Sequence, residues 1–143
     1  VVHTYEYNGY LRCFDSLQHY FDYSFELLDI KVRRQLFRPD WPIYTVTHDT
    51  PPAKYGSGAD VTHSFIANGS LVEGRVHNSI LSRGVHVDSG ASVENSIIFT
   101  NSVIGRNKKI RYTIVDKDAK VTRVEEICGR ENEISYILQG DEV

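Results

Sequence analysis

The sequence predicts a mainly β chain wound as a single-stranded parallel β-helix of hexapeptide repeats, preceded by a short helical segment and an extended connector. Three observations carry this prediction. A phrase of one hydroxyl residue followed by two large apolar ones recurs as Ser64-Phe65-Ile66, Ser79-Ile80-Leu81, Ser96-Ile97-Ile98 and Thr113-Ile114-Val115, with starts 15, 17 and 17 positions apart. Self-similarity at a fixed short period marks a coiled repeat. Between these phrases small or apolar residues alternate with polar ones and then give way to a polar turn, the period-two pattern of short strands. Finally, Pro39, Pro42, Pro51 and Pro52, the only prolines, all precede the repeat, where fixed φ and missing N–H donors favour an extended path.

Taken in order, residues 1–56 read as a helix and a proline-rich connector. Asp15 is placed to cap the helix, with Gln18 at the capping-box position and Leu17, Tyr20, Phe21, Ser24 and Leu28 on one helical face. A second, shorter helix is expected over Lys31 to Phe37, and Arg38 to Tyr55 forms the connector. Residues 57–121 carry the β-helix. Alternation points Val85, Val87, Ala91, Val93, Ser96, Ile98, Ser102, Ile104, Thr113, Val115, Ala119 and Val121 inward. Asp88-Ser89, Glu94-Asn95, Gly105-Arg106 and Asp116-Lys117 supply corners. This amounts to roughly three and a half coils, close to the minimum for a stable stack, so both open ends need caps. Residues 122–143, with the alternating Ile134, Tyr136 and Leu138, are assigned to the C-terminal cap. Lys108 fits badly. Its register calls for a small inward residue, and a lone buried ammonium is costly, so either the register slips or the corner opens to solvent.

The outward positions separate three faces. One carries Phe65, Ile80, Ile97 and Ile114 in a single apolar column, the others Leu71, His86, Val103, Lys120 and Arg75, Ser92, Lys109. A contiguous apolar strip marks either a protein contact or a surface covered by the chain's own helix or tail, and the column is the candidate interface. A second candidate is the basic cluster Arg106, Lys108, Lys109 and Arg111, able to hold a phosphate-bearing effector through charge-assisted contacts. The alternative is a solvated basic corner balanced by Asp116 and Asp118.

Composition narrows the function. With 143 residues, 41% of them hydrophobic, and a formal charge of −3, the chain holds one compact domain with a small appendage. The mixed charge gives no reason to expect nucleic acid or an anionic membrane as partner. No apolar run spans a bilayer and no secretory signal opens the chain, so a soluble cytoplasmic protein is expected. Cys13 and Cys128 read as free thiols. The six histidines show no metal-ligand spacing, and no metal site or catalytic residue is predicted.

The order of motifs is more specific than any single repeat. Gly9-Tyr10-Leu11 before a helix, Trp41-Pro42-Ile43-Tyr44-Thr45, Pro51-Pro52-Ala53-Lys54-Tyr55 and coils closing on Ile114-Val115-Asp116-Lys117-Asp118 resemble the C-terminal part of bacterial ADP-glucose pyrophosphorylases (glucose-1-phosphate adenylyltransferases). The resemblance implies a left-handed β-helix attached to a Rossmann-like nucleotidyltransferase domain, of which residues 1–56 would be the end. It implies ADP-glucose synthesis from ATP and glucose 1-phosphate with magnesium in glycogen synthesis, with ATP and Mg bound by the parent enzyme and no cofactor in this part. Catalytic members of that family place a magnesium-binding Asp where Gly9-Tyr10-Leu11-Arg12-Cys13-Phe14-Asp15-Ser16 has Cys13, and a neutral thiol is no hard oxygen ligand, although Asp15 stands two residues on. The departure resembles the regulatory, poorly catalytic subunit, whose partners would be the catalytic subunit, further copies of itself and a phosphorylated sugar effector. On this reading the chain alone is inactive. Two alternatives stand beside it: a free-standing hexapeptide acyltransferase, which saturable acyl-CoA binding would reveal, and a sugar-nucleotide pyrophosphorylase for mannose or glucose with another nucleotide.

Overall fold

The computed structural model describes residues 1–143, which divide into two compact units, Val1–Thr47 and His48–Val143. No helix is long and apolar enough to cross a membrane.

The first unit holds α1 (Leu17–Glu26) and α2 (Ile30–Leu36). Ser16, not Asp15, is the N-cap of α1: its backbone is extended and its hydroxyl accepts from the His19 N–H at 3.0 Å. The cap oxygen has to reach an N–H three residues on, which places it at Ser16. Asp15 pairs instead with the His19 ring, and Gln18 donates to Asp22 at 2.9 Å rather than completing a capping box. Asp29 caps α2 by accepting from the Lys31 N–H at 2.7 Å. Phe21 is the one buried side chain of α1 and packs on Phe25 with ring centroids 4.6 Å apart. Before the helix, Arg12 lies over the rings of Tyr10 and Tyr23 and pairs with Glu26 at 2.9 Å. Glu26 also accepts from the Tyr10 hydroxyl. Burial first, and then this carboxylate, push the Tyr10 hydroxyl pKa upward.

The second unit is a parallel β-solenoid of three five-stranded sheets. One sheet stacks β1 (Lys54–Tyr55), β4 (Leu71–Val72), β7 (His86–Val87), β10 (Val103–Ile104) and β13 (Lys120–Val121). The second stacks β2 (Asp60–Thr62), β5 (Arg75–His77), β8 (Ser92–Glu94), β11 (Lys109–Arg111) and β14 (Glu126–Cys128). The third stacks β3 (Phe65–Ile66), β6 (Ile80–Leu81), β9 (Ile97–Ile98), β12 (Thr113–Val115) and β15 (Ser135–Ile137). Every pairing is parallel and joins residues one coil apart, such as Leu71 with His86 and Val103 with Lys120. All twelve residues expected inward are buried.

The stack is longer than residues 57–121. It begins at Lys54–Tyr55, in the stretch assigned to the connector, and reaches Ser135–Ile137, in the stretch assigned to the cap. Each sheet therefore has five rungs, more than the three and a half coils the repeat alone suggests. Two irregularities hid the outer rungs. The coil from Ile80 to Ile97 takes 17 residues, whereas Ile114 to Tyr136 takes 22 because a turn closed by the Arg130–Glu133 bridge is inserted. The 15-residue coil loses its residues at Gly74, where a Cβ would stand 2.5 Å from the Ala91 carbonyl and 2.7 Å from that of Asp88. Only glycine allows the backbone so close to the next coil.

The hydroxyl of the repeated phrase has a specific role. Ser64, Ser79, Ser96 and Thr113 each donate to the carbonyl two residues earlier, at 2.7, 2.8, 2.7 and 2.8 Å. The first three also accept the N–H of the equivalent residue one coil on, at 3.0, 3.1 and 3.2 Å. A buried polar group is tolerated when its hydrogen bonds are made, and here one hydroxyl satisfies a carbonyl of its own coil and an amide of the next. Residues 141–143 add to β13 through a parallel bridge between Lys120 and Glu142: the Val143 carbonyl accepts from the N–H groups of Thr122 and Arg123, and its own N–H donates to the Lys120 carbonyl.

Candidate functional site

The sheet β2-β5-β8-β11-β14 is the face with the most chemistry. Its five strands are all three residues long, so each turns one central residue inward, buried in β5, β8 and β11 and half-buried in β2 and β14, and two outward. Register then fixes two outward columns. One runs Asp60, Arg75, Ser92, Lys109, Glu126, the other Thr62, His77, Glu94, Arg111, Cys128. Opposite charges adjoin at Asp60–Arg75, Lys109–Glu126 and Glu94–Arg111, with neutral Ser92 between the two cations of the first column, and neighbours pair loosely: Arg75 with Asp60 at 3.5 Å and Arg111 with Glu94 at 3.9 Å. These exposed pairs leave the charges available, since such contacts contribute little to stability. His77 Nδ1 lies 2.7 Å from the Thr62 hydroxyl. Cys128 donates to Glu126 at 2.9 Å, and its thiol pKa is raised by burial and then by that carboxylate. A shallow groove of about 440 Å³ runs along the face between Asp60, Arg75, Glu94, Lys109, Arg111 and Glu126.

The predicted basic cluster is divided by the fold. Lys109 and Arg111 flank the buried Ile110 and project from β11 into the groove. Arg106 lies on the preceding turn, beside Asn107 in the left-handed region at φ 61°. Lys108 takes the column of Gly74 and Ala91 but is only half-buried, with its carbonyl accepting from Ser92 N–H at 2.9 Å. The corner opens to solvent and the register does not slip. Asp116 and Asp118 do not balance this cluster. Asp116 accepts from the Tyr136 hydroxyl and the Lys117 amide, Asp118 from Asn101, and the carboxylate beside Arg111 is Glu94. The hydrogen bond from Tyr136 comes first among the causes that hold the Asp116 carboxyl below the usual range. The column Arg75, Ser92, Lys109 expected from the sequence is present, and it adds Arg75, which the predicted basic cluster leaves out, to the same face two coils from Lys109.

On the third sheet Phe65, Ile80, Ile97 and Ile114 form one column, continued by Tyr136. It is graded. Phe65 and Ile80 are half-buried, Ile97 and Ile114 keep only 2% and 1% of their exposure, and Tyr136 is 43% exposed. The column is therefore exposed towards its ends and buried at its middle.

Residues 51–134 match the family model described as "GlmU-like, C-terminal hexapeptide", and those residues coincide with the coils just described. The chain belongs to the GlmU-like C-terminal hexapeptide family. Among curated relatives of this hexapeptide chain, the glycogen biosynthesis protein GlgD of Bacillus subtilis is 39% identical over 136 residues, 95% of the chain and 40% of the relative. The glucose-1-phosphate adenylyltransferase of Acetivibrio thermocellus is 36% identical over 118 residues, 82% of the chain and 28% of the relative. GlgD of Geobacillus stearothermophilus is 53% identical over 70 residues, 49% of the chain and 20% of the relative. The chain thus spans two-fifths or less of the length of these relatives.

Outside the hexapeptide coils, Cys13 is exposed and its neighbour Asp15 is engaged with His19. No group of three or more His, Cys, Asp or Glu side chains is arranged to hold a metal ion.

Proposed function

We propose that this chain is the assembly and regulatory β-solenoid of a glucose-1-phosphate adenylyltransferase subunit of the GlgD kind, acting in glycogen synthesis beside a catalytic partner subunit. The observation that carries the reading is the 39% identity to a GlgD protein sustained over 95% of the chain, which spans both units and not the coils alone. In the parent reaction ATP and glucose 1-phosphate yield ADP-glucose and pyrophosphate, with magnesium screening the phosphates when bound. The residues of this chain contribute no step to it. Cys13 supports a weakly catalytic role, because a neutral thiol offers magnesium no hard oxygen. A phosphorylated sugar effector would find Lys109, Arg111 and Arg75 lining one groove, which Arg106 and Lys108 do not line, and there cations and phosphate form strong charge-assisted bonds. Subunit contact would use the open ends of the apolar column at Phe65, Ile80 and Tyr136, with Ile97 and Ile114 buried between them.

The test is coexpression of the full-length protein with a catalytic adenylyltransferase subunit from the same source. The expected result is a co-purifying complex whose ADP-glucose synthesis responds to sugar phosphates differently from the catalytic subunit alone, with no synthesis by the GlgD-like protein by itself. Separate elution of the two proteins, or synthesis by this protein alone at the partner's rate, overturns the reading.

A further inference from the structure

The mixed charges of the β2-β5-β8-β11-β14 face have a property that single ion pairs lack: the face is complementary to itself in only some alignments. Its long side chains stand clear of the sheet, with Arg75 63% and Arg111 52% exposed at the side chain. Two such faces related by a two-fold axis parallel to the strands run with their solenoid axes antiparallel, and each column meets its own copy. Strand spacing of about 4.8 Å and sheet packing at about 10 Å make the rung the unit of registration.

We propose that this face pairs with the same face of a second copy, the axis lying between the rungs of β8 and β11. Glu94 then meets the partner's Arg111, and Arg75 meets the partner's Glu126, each twice by symmetry. At the centre, Glu94 and Arg111 of the two copies make a ring of four alternating charges, built from a pair already 3.9 Å apart in one chain. A shift of one rung sets Glu94 on the partner's Glu94 and Arg75 on the partner's Lys109. The parallel arrangement sets Lys109 on the partner's Arg111. Like charges juxtaposed across an interface cost several kcal/mol, so the pattern selects an alignment as well as permitting one. Five short strands bury far less than the roughly 1,200–2,000 Å² of a stable interface. The contact is accordingly weak alone, salt-sensitive, and effective where other contacts already hold two subunits together. It rests on register and charge, and it would compete with the effector contact proposed above, since both use Arg75 and Arg111 of one groove.

The test is sedimentation velocity of the full chain at about 20 mM and about 500 mM salt, on either side of a Debye length of about 10 Å, using Glu94→Arg, Arg111→Glu, their double swap and an equimolar mixture of the two single variants. The expected result is concentration-dependent dimerisation at low salt that weakens at high salt. It should also weaken at least about tenfold in each single variant and return in both the double swap and the mixture. The mixture is decisive. Each single variant lacks the charge pair within its own chain, so only contact between chains can restore association there. Circular dichroism shows that the single variants remain folded, and the double swap retains the test if one does not. A monomer at all concentrations in low salt, single variants that associate like the parent chain, or a mixture no better than its components overturns the proposal. The last of these is also what an offset placing Asp60 on the partner's Lys109 would give, since Arg111 then meets only Thr62.

Discussion

The apolar column and the charged face are built on one scaffold by one repeat, yet they impose different constraints on the chain. Both rest on inward residues of the same size class, Val76, Val93 and Ile110 under the charged face and Leu81, Ile98 and Val115 under the apolar column. They differ in their outward letters alone. On the apolar side the middle of the column is as buried as the core, so those residues belong to the energetics of folding. On the charged side the columns remain in water, and their arrangement bears on association rather than stability. In a solenoid the inward letters decide whether a coil stacks and the outward letters decide what each face meets.

The largest expected effect is that of Ile97→Asp. A carboxylate at a position 2% exposed should cost at least about 3 kcal/mol in chemical denaturation, whereas a surface role for Ile97 predicts little change. Next comes Ser96→Ala. It leaves the Thr113 amide and the Glu94 carbonyl without the hydroxyl they share and should cost about 1–3 kcal/mol, with Ser96→Thr close to the parent because Thr113 occupies the same column. On the charged side Arg111→Glu should change unfolding by less than about 1 kcal/mol even as it alters association. The sharpest contrast is Ile97→Asp beside Arg111→Glu, and equal losses in the two would erase the distinction between the faces.

The smallest effect is expected at the last rung. Tyr136→Phe removes a hydrogen bond to Asp116 and, because Tyr136 is 43% exposed, should cost about 1 kcal/mol or less. Its pH dependence has a definite sign. The folded-state pKa of Asp116 is lowered, chiefly by Tyr136, so its stabilisation is present above the unfolded carboxylate pKa of about 3.9 and is lost as pH falls through the lower folded value. The difference between the parent chain and Tyr136→Phe should therefore be full at neutral pH and fade below about pH 4, as unfolding across that range would show.

The regular coils were legible because alternation and a 17-residue spacing constrain the same residues twice. Ser96 and Ile98 repeat Ser79 and Leu81 in both respects, and both pairs are buried. The outer rungs broke one of those constraints. β1 follows closely on two prolines with an exposed Tyr55 where later coils have Val or Ile, and β15 follows an insertion that stretches its coil to 22 residues. The helix start was misplaced by one residue because Asp15 and Ser16 are both good caps and only the reach of the side chain separates them. The basic cluster looked like one site because its members are close in sequence. A corner between Arg106 and Lys109 sends them to different surfaces, while Arg75, distant in sequence, returns to the same column after two coils.

The hydroxyl series Ser64, Ser79, Ser96 and Thr113 gives the stack translational symmetry with a polarity. Each coil presents an acceptor on its C-terminal side and takes a donor's place on the N-terminal side of the next. A segment such as Ile80–Ser96 is in that sense a unit cell, carrying one complete set of contacts upward and the matching set downward. Duplicating it in tandem would lengthen the rod by one repeat of about 4.8 Å with every buried amide and carbonyl still partnered. The length of such a rod is thus a number that evolution can change in whole steps.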